Sequence, residues 1–193
     1  MSVIVGIKKN GVFYLGADTQ STSGDFITRT NSKEEYKIKN MGNGLLCCTV
    51  GACKVSINIC AHEELFVLPK GGLTKKFVVE EFAPKVLEIV KDENLVEQMK
   101  EGKPYIDCSF ALVHKGKCIL LKSDLSVWEV ADTFSLGSGK AMAFPTLELS
   151  DKKQDVKEIL FSAMKNVATF INSVSAPYIF IDSKNLEYEI IGG

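Results

Sequence analysis

Residues 2–24 read SVIVGIKKNGVFYLGADTQSTSG, which is two β-rich segments joined by Asn10-Gly11. An Asn-Gly pair supplies the two positive-φ positions of a type I′ turn, so the stretch predicts a β-hairpin. Its first residue, Ser2, directly follows Met1. Ser2 is therefore either an ordinary surface serine or a nucleophile that becomes the chain terminus once Met1 is removed.

Helical and strand periodicities alternate along the rest of the chain. Residues 52–66 carry apolar side chains at helical spacing, and residues 73–99 predict a longer amphipathic helix, capped at Thr74 and kinked or split at Pro84. A second hairpin, a pair of short strands, two further helices and two closing strands are predicted at residues 105–123, 126–137, 138–149, 151–173, 176–183 and 186–191. Two sheets between helical layers use all of these elements, so we expect one α+β domain over residues 1–193.

Composition excludes several classes of protein. The 193 residues are 46% hydrophobic and 24% charged, with a formal net charge of -1, so the basic field that nucleic-acid binding needs is absent. No apolar run reaches the length of a membrane span, and the N-terminal residues lack a secretory pattern. We therefore expect a cytoplasmic protein whose six cysteines are reduced. With two histidines and no cysteine pair at zinc spacing, we expect no metal and no cofactor.

Beyond these patterns, the chain resembles a known family. Residues 2–24 are similar to the opening of proteasome β subunits and of the HslV-type peptidase, and "LLCCTVGA", "SLGSGKAMAF" and "NSVSAPYIFI" continue the likeness in order and spacing. The resemblance implies the four-layer αββα sandwich of the N-terminal nucleophile hydrolases. It also implies a polypeptide substrate, a homo-oligomeric ring and an ATPase partner.

The resemblance assigns roles to particular residues. Ser2 matches the catalytic N-terminal residue, whose hydroxyl attacks a peptide carbonyl while its own α-amine acts as the base. That amine has an ordinary pKa near ~8, close to the operating pH. Asp18 matches the family's acidic residue, and Ser138 and Ser175 match two serines that hydrogen-bond near the amine. Asn172 stands where proteasome subunits have an aspartate.

Two positions depart from the family pattern. Counting the family spacing forward from Asp18 reaches Glu34 where a lysine is expected, and Lys33 could replace it only if a bulge shifts the strand register. A glutamate there would raise the pKa of the nearby amine by about three units, at roughly 4 kcal/mol for unit charges ~4 Å apart. Cys48 falls at the oxyanion-hole glycine, where its side chain would obstruct the substrate, or would itself replace the nucleophile.

The sequence thus leaves several functions open. The chain is either an active N-terminal serine hydrolase of the threonine-peptidase type, or a non-catalytic homologue (a pseudoenzyme) that serves assembly or binding. An amidase or acyl-transfer relative with a rearranged site is a third reading, and an unrelated α/β binding domain is the fourth. Retention of Ser2, Asp18, Ser138 and Ser175 favours activity, whereas the charge at residue 34 opposes it.

Overall fold

The computed structural model of the chain describes residues 2–23, 26–30, 32–93, 95, 105–151 and 153–192. The strands in these residues are β1 (Val3–Lys9), β2 (Val12–Asp18), β3 (Gln20–Ser23), β4 (Phe26–Arg29), β5 (Ile38–Asn40), β6 (Leu45–Gly51), β7 (Cys108–His114), β8 (Lys117–Leu121), β9 (Val127–Val130), β10 (Thr133–Gly137), β11 (Tyr178–Asp182) and β12 (Glu189–Ile191). The α-helices are α1 (Cys53–Ala61), α2 (Lys75–Phe77), α3 (Ala83–Asp92), α4 (Lys140–Leu149) and α5 (Val156–Phe170).

The strands form two antiparallel sheets of five. The first has the order β10-β1-β2-β11-β12 and the second the order β5-β6-β7-β8-β9, while β3 and β4 pair only with each other. The predicted hairpin of residues 2–24 is confirmed as β1 and β2, with Asn10 at φ 52° and Gly11 at φ 77° in the turn. β1 lies between β10 and β2, so its first residues are held on both sides.

Three apolar clusters fill the spaces between the layers. The first sheet faces the second through a core that includes Ile4, Phe13 and Leu15 from one sheet and Leu46 and Cys48 from the other. The other face of the second sheet packs on α1, α2 and α3, and the other face of the first sheet packs on α4 and α5. The predicted four-layer αββα sandwich is therefore confirmed.

The predicted helix over residues 52–66 is shorter than its apolar spacing suggested. Helix α1 ends at Ala61, and a 3₁₀ turn at Glu63–Phe66 continues the chain. Because Leu65 and Phe66 at the end of this turn are also buried, their apolar side chains extended the helical pattern beyond the real helix.

The helix predicted over residues 73–99 begins where the sequence indicated. The backbone N–H of Phe77 donates to Thr74 Oγ1 at 3.0 Å, which is the expected N-cap. Pro84 lacks an N–H, and a π-helical turn at Val78–Phe82 precedes it before α3 continues to Asp92. The rest of this prediction, at residue 94 and at residues 96–99, lies outside the described residues.

None of the described helices is both long and apolar enough to cross a membrane. All six cysteines are free thiols, and all but Cys53 are buried.

Candidate active site

Ser2 lies immediately before β1, and its backbone is fixed by the end of the neighbouring strand β10. Its backbone nitrogen donates to Ser138 Oγ at 3.2 Å, and its carbonyl oxygen accepts from the N–H of Gly139 at 3.3 Å. A Cβ atom on Gly137 would lie 2.1 Å from that same carbonyl oxygen. The Gly137-Ser138-Gly139 turn therefore fits closely around the backbone of Ser2, and only glycine at residue 137 leaves enough room.

Asp18, the last residue of β2, is a fully buried carboxylate with two separate tasks. Its Oδ1 accepts from the backbone N–H of Val3 at 2.9 Å, which anchors the start of β1 next to Ser2. Its Oδ2 lies 2.7 Å from Nζ of Lys37, and that ammonium also donates to the backbone oxygen of Gln20 at 2.5 Å. Asp18 therefore positions both the N-terminal strand and one buried lysine.

Burial is the strongest influence on both members of this ion pair. It raises the pKa of the Asp18 carboxyl above its ordinary value, against the opposing effect of Lys37. It also lowers the pKa of the Lys37 ammonium below its ordinary value, against the opposing effect of Asp18. Each charge is tolerated in this environment because the other is present, so the loss of one leaves the other uncompensated.

Ser2 and Lys37 line the same cavity, which has a volume of about 520 Å³. Its wall also includes Gly51, the last residue of β6, which directly precedes α1 and has a φ of 131°. A side chain at Gly51 would be strained by that φ, and its Cβ would lie 2.3 Å from the backbone oxygen of Asp107. A serine at the chain start, a buried lysine and a glycine backbone thus border one space.

Solved structures share this architecture, although no family model and no curated protein matches the sequence. Thiobacillus denitrificans BPH superposes with a TM-score of 0.75 at 12% identity over 96% of this chain and 98% of that chain. Its complex with epoxomicin gives a TM-score of 0.68 at 12% identity over 96% and 99% of the two chains. Eukaryotic HslV from Trypanosoma brucei gives a TM-score of 0.65 at 14% identity over 93% and 98%.

This chain has the HslV fold. The whole αββα architecture is shared, since the superposition covers nearly all of both chains in each case. At 12% to 14% identity the likeness establishes the fold alone.

Within the HslV fold, the lysine that pairs with Asp18 is Lys37, whereas the sequence analysis placed Glu34 or Lys33 at that position. Both of those residues lie in a 3₁₀ turn at Lys33–Glu35 rather than on a strand. Glu34 is exposed and bonds to Ser32, and Nζ of Lys33 lies 5.8 Å from the ring centroid of Tyr188. Lys37 lines the cavity with Ser2, whereas Glu34 and Lys33 do not.

Gly51 lines the cavity that contains Ser2, whereas Cys48, which the sequence placed at the oxyanion-hole glycine, does not. Cys48 is completely buried in the core between the two sheets, opposite Ile38 and Ala111 on the adjacent strands. Burial raises the pKa of its thiol well above the ordinary value, so Cys48 is an inert core residue and not a replacement nucleophile.

Ser175 and Asn172 both bond to Gln20, which lies two residues after Asp18. Ser175 Oγ donates to Gln20 Oε1 at 2.5 Å and accepts from Nε of Arg29 at 3.1 Å. Gln20 Nε2 donates to the backbone oxygen of Asn172 at 3.1 Å. Because the backbone oxygen of Gln20 also accepts from Lys37, this buried amide links the segment after α5 to the lysine.

Three residues of the site were missing from the sequence-based set: Lys37, Gly51 and Gln20. Lys37 could have been found from strand periodicity, because it lies between Tyr36 and Ile38, which are both buried in the sheet–sheet core. Gly51 could have been found as the glycine directly before the helix. No sequence signal marks Gln20. Among the described residues, no cluster of three or more His, Cys, Asp or Glu side chains could hold a metal ion.

Proposed function

We propose that this chain is an N-terminal nucleophile hydrolase that cleaves peptide bonds with Ser2 after Met1 has been removed. The observation that carries the proposal is the Asp18–Lys37 ion pair, whose lysine lines the same cavity as Ser2. Polypeptides are the proposed substrates, and no metal or cofactor takes part in the proposed reaction.

In this mechanism the two reacting groups of the enzyme belong to one residue. The Oγ of Ser2 attacks the substrate carbonyl, and the α-amine of Ser2 accepts the hydroxyl proton and later delivers it to the leaving amine. Ser138 Oγ, which contacts the nitrogen of Ser2, would hold the amine in place. A retained Met1 would convert that amine into an amide, which has no basic lone pair.

Lys37 would tune both steps electrostatically. At an effective dielectric near ~20, a positive charge roughly 4 Å away lowers the pKa of an amine by about three units, and it stabilises a developing alkoxide by a similar energy. Asp18 Oδ2 and the backbone oxygen of Gln20 each accept one hydrogen bond from the Lys37 ammonium. An ammonium has three N–H groups, so these two contacts account for two of them. The N–H of Gly51 is the proposed donor to the oxyanion of the tetrahedral intermediate.

The alternative of a non-catalytic homologue is disfavoured by the same geometry. Its support was an acidic group at the lysine position and a side chain at the oxyanion glycine. Glu34 is exposed in a 3₁₀ turn, and Cys48 belongs to the core between the sheets. On the present proposal Lys37 and Gly51 fill these two roles, so neither electrostatics nor steric exclusion opposes turnover.

The resemblance in fold also supports a proposal about assembly. We propose a cytoplasmic homo-oligomeric ring in which the cavity faces the interior, served by an ATPase partner that feeds it polypeptide. Native mass spectrometry of the purified chain tests the ring directly. A monomer at micromolar concentration would contradict it.

Labelling by epoxomicin, the ligand named in the BPH complex, tests the catalytic proposal. A peptide epoxyketone needs both a hydroxyl and a free amine on one residue, so intact mass should show loss of Met1 and one adduct per chain. Ser2→Ala should abolish the adduct. Ser162→Ala, a matched change on the exposed face of α5, should leave it intact. Retention of Met1, or an adduct on Ser2→Ala, would contradict the mechanism.

A further inference from the structure

The residues around the start of β5 give the cavity beside Ser2 walls of a specific chemistry. Tyr36 and Ile38 point into the core between the sheets, whereas Glu35 at the end of the 3₁₀ turn, Lys37 and Lys39 all line the cavity. The approach to β5 therefore presents one carboxylate and two ammonium groups, of which Lys37 is already paired with Asp18.

The base of the cavity is formed by hydroxyl groups. Thr49 on β6 bonds to the backbone oxygen of Lys37 through its own N–H at 2.8 Å, so it lies directly beside the catalytic lysine. The residue is only 4% exposed, and its Oγ1 accepts from Ser56 Oγ on α1 at 2.5 Å. The two hydroxyls share only one hydrogen in this bond, so the other hydrogen, on Thr49 or Ser56, can be donated to a group inside the cavity.

An apolar ligand group would leave the second hydrogen of the Thr49–Ser56 hydroxyl pair without a partner in the cavity. The free energy lost when a buried polar group has no hydrogen-bond partner exceeds the free energy gained from a methylene contact. Sites with buried polar groups therefore reject apolar analogues. The exposed side chain of Ile57 also borders the cavity and offers a contact for methylene groups. A side chain with a short apolar stem and a polar tip satisfies both surfaces.

Charge does not favour a ligand of either sign. The carboxylate of Glu35 accepts a hydrogen bond from Thr30, and Lys39 supplies the opposite charge on the same strand face. These opposite charges on Glu35 and Lys39 offset one another, so they create no net field that would draw a charged side chain of either sign into the cavity.

We infer that this cavity selects a neutral, hydrogen-bonding side chain, a carboxamide or a hydroxyl, at the residue that contributes the attacked carbonyl. The best fit is glutamine, whose two methylenes reach along Ile57 and whose amide meets Thr49. The inference rests on the proposed peptide hydrolysis and deepens it by naming the substrate class. Thr49 is the specificity-determining residue in this arrangement, and it plays no part in bond cleavage.

Four acyl-peptide fluorogenic amides that differ only in the last residue (Gln, Leu, Lys or Glu) test the selection. We expect kcat/KM for the Gln substrate to exceed that for each of the others at least ~10-fold. Thr49→Val keeps the shape but removes the hydroxyl, so it should lower the rate for Gln and raise or preserve the rate for Leu. Thr169→Val, the same change on the exposed surface of α5, should leave the preference unchanged.

Each other result overturns the inference. If the Leu substrate is cleaved fastest, the hydroxyl groups in the cavity do not select the substrate. If the Lys or the Glu substrate is cleaved fastest, attraction to Glu35 or to Lys39 selects it instead. An unchanged Gln:Leu ratio in Thr49→Val would also refute it. If epoxomicin forms an adduct but the preference is absent, only the selectivity fails. If no adduct forms and no substrate is cleaved, the proposed hydrolysis fails and the selectivity fails with it.

Discussion

Nζ of Lys37 lies 2.7 Å from Oδ2 of Asp18, although the two residues are 19 positions apart in the sequence. The β3–β4 hairpin and the 3₁₀ turn at Lys33–Glu35 lie between them and bring the end of β2 next to the start of β5. The pair is buried, and one of its oxygens also anchors Val3 at the start of the chain. The proposed chemistry and part of the local stability therefore depend on a single contact.

Removing the lysine from this pair should abolish hydrolysis and destabilise the fold. Lys37→Met leaves Asp18 as an unpaired buried carboxylate, at a cost of about 3–5 kcal/mol in the free energy of unfolding at neutral pH. The deficit should shrink as the pH falls, because protonation removes the buried charge. Urea denaturation and peptide hydrolysis measure the two effects.

The double variant Asp18→Asn/Lys37→Met separates the two roles. It removes both charges, so it should recover much of the lost stability while remaining inactive. A single Lys37→Met variant as stable as the parent protein would show that the pair is not buried in solution.

The fold could be predicted from sequence because its signals are local. Asn10-Gly11 specifies one turn, Thr74 caps one helix, and each depends only on neighbouring residues. The apolar faces of the predicted strands and helices then indicate how these elements pack into layers. The same reasoning overextended α1 into the turn at Glu63–Phe66, since burial without helical hydrogen bonding gives the same apolar pattern.

The site was predicted only in part, and the reason is the length of one connection. Asp18 and Ser138 lie on rigid strand ends, and the structure brings both to the nitrogens of Ser2 and Val3. Counting forward from Asp18 through the β3–β4 hairpin gave Glu34 and Cys48, which are each three residues before Lys37 and Gly51. Loop lengths vary without changing the strands that they join, so strand periodicity is the better guide to such positions.

A charge reversal at residue 34 should have almost no effect on hydrolysis. The sequence alone suggested that Glu34→Lys would raise the rate by restoring a missing cation. Since Glu34 is exposed and Lys37 already supplies that charge, kcat/KM should stay within about twofold of the parent value. Glu63→Lys, an equal charge change on another exposed 3₁₀ turn, is the control. A severalfold rise specific to residue 34 would return Glu34 to the site.

Stability should depend on pH through His62, which joins α1 to the end of α3. Its ring contacts Glu64 Oε1 at 2.9 Å and Glu93 Oε1 at 3.2 Å, and these hydrogen bonds raise its pKa above the ordinary 6.5. Because the pKa of His62 is higher in the folded state, protonated His62 stabilises the fold fully at pH values below its pKa in the unfolded state. This contribution is lost as the pH rises through its pKa in the folded state. The Tm deficit of His62→Gln should thus be larger at about pH 5.5 than at about pH 8.5. An equal deficit at both would show that the ring contributes only packing.

A methyl group at Gly137 should disable the site by displacing Ser2. Gly137 has a φ of 91°, and an added Cβ would meet the carbonyl oxygen of Ser2 at 2.1 Å. Gly42 has a similar φ of 84° with nothing within 4 Å of an added Cβ, so Gly42→Ala should cost only the backbone strain of about 1–2 kcal/mol and spare activity. Gly137→Ala should cost more and lower epoxomicin labelling at least ~10-fold, because ~1 Å misplacements of reacting groups cost that much or more. Equal labelling of the two variants would mean that the turn does not position Ser2.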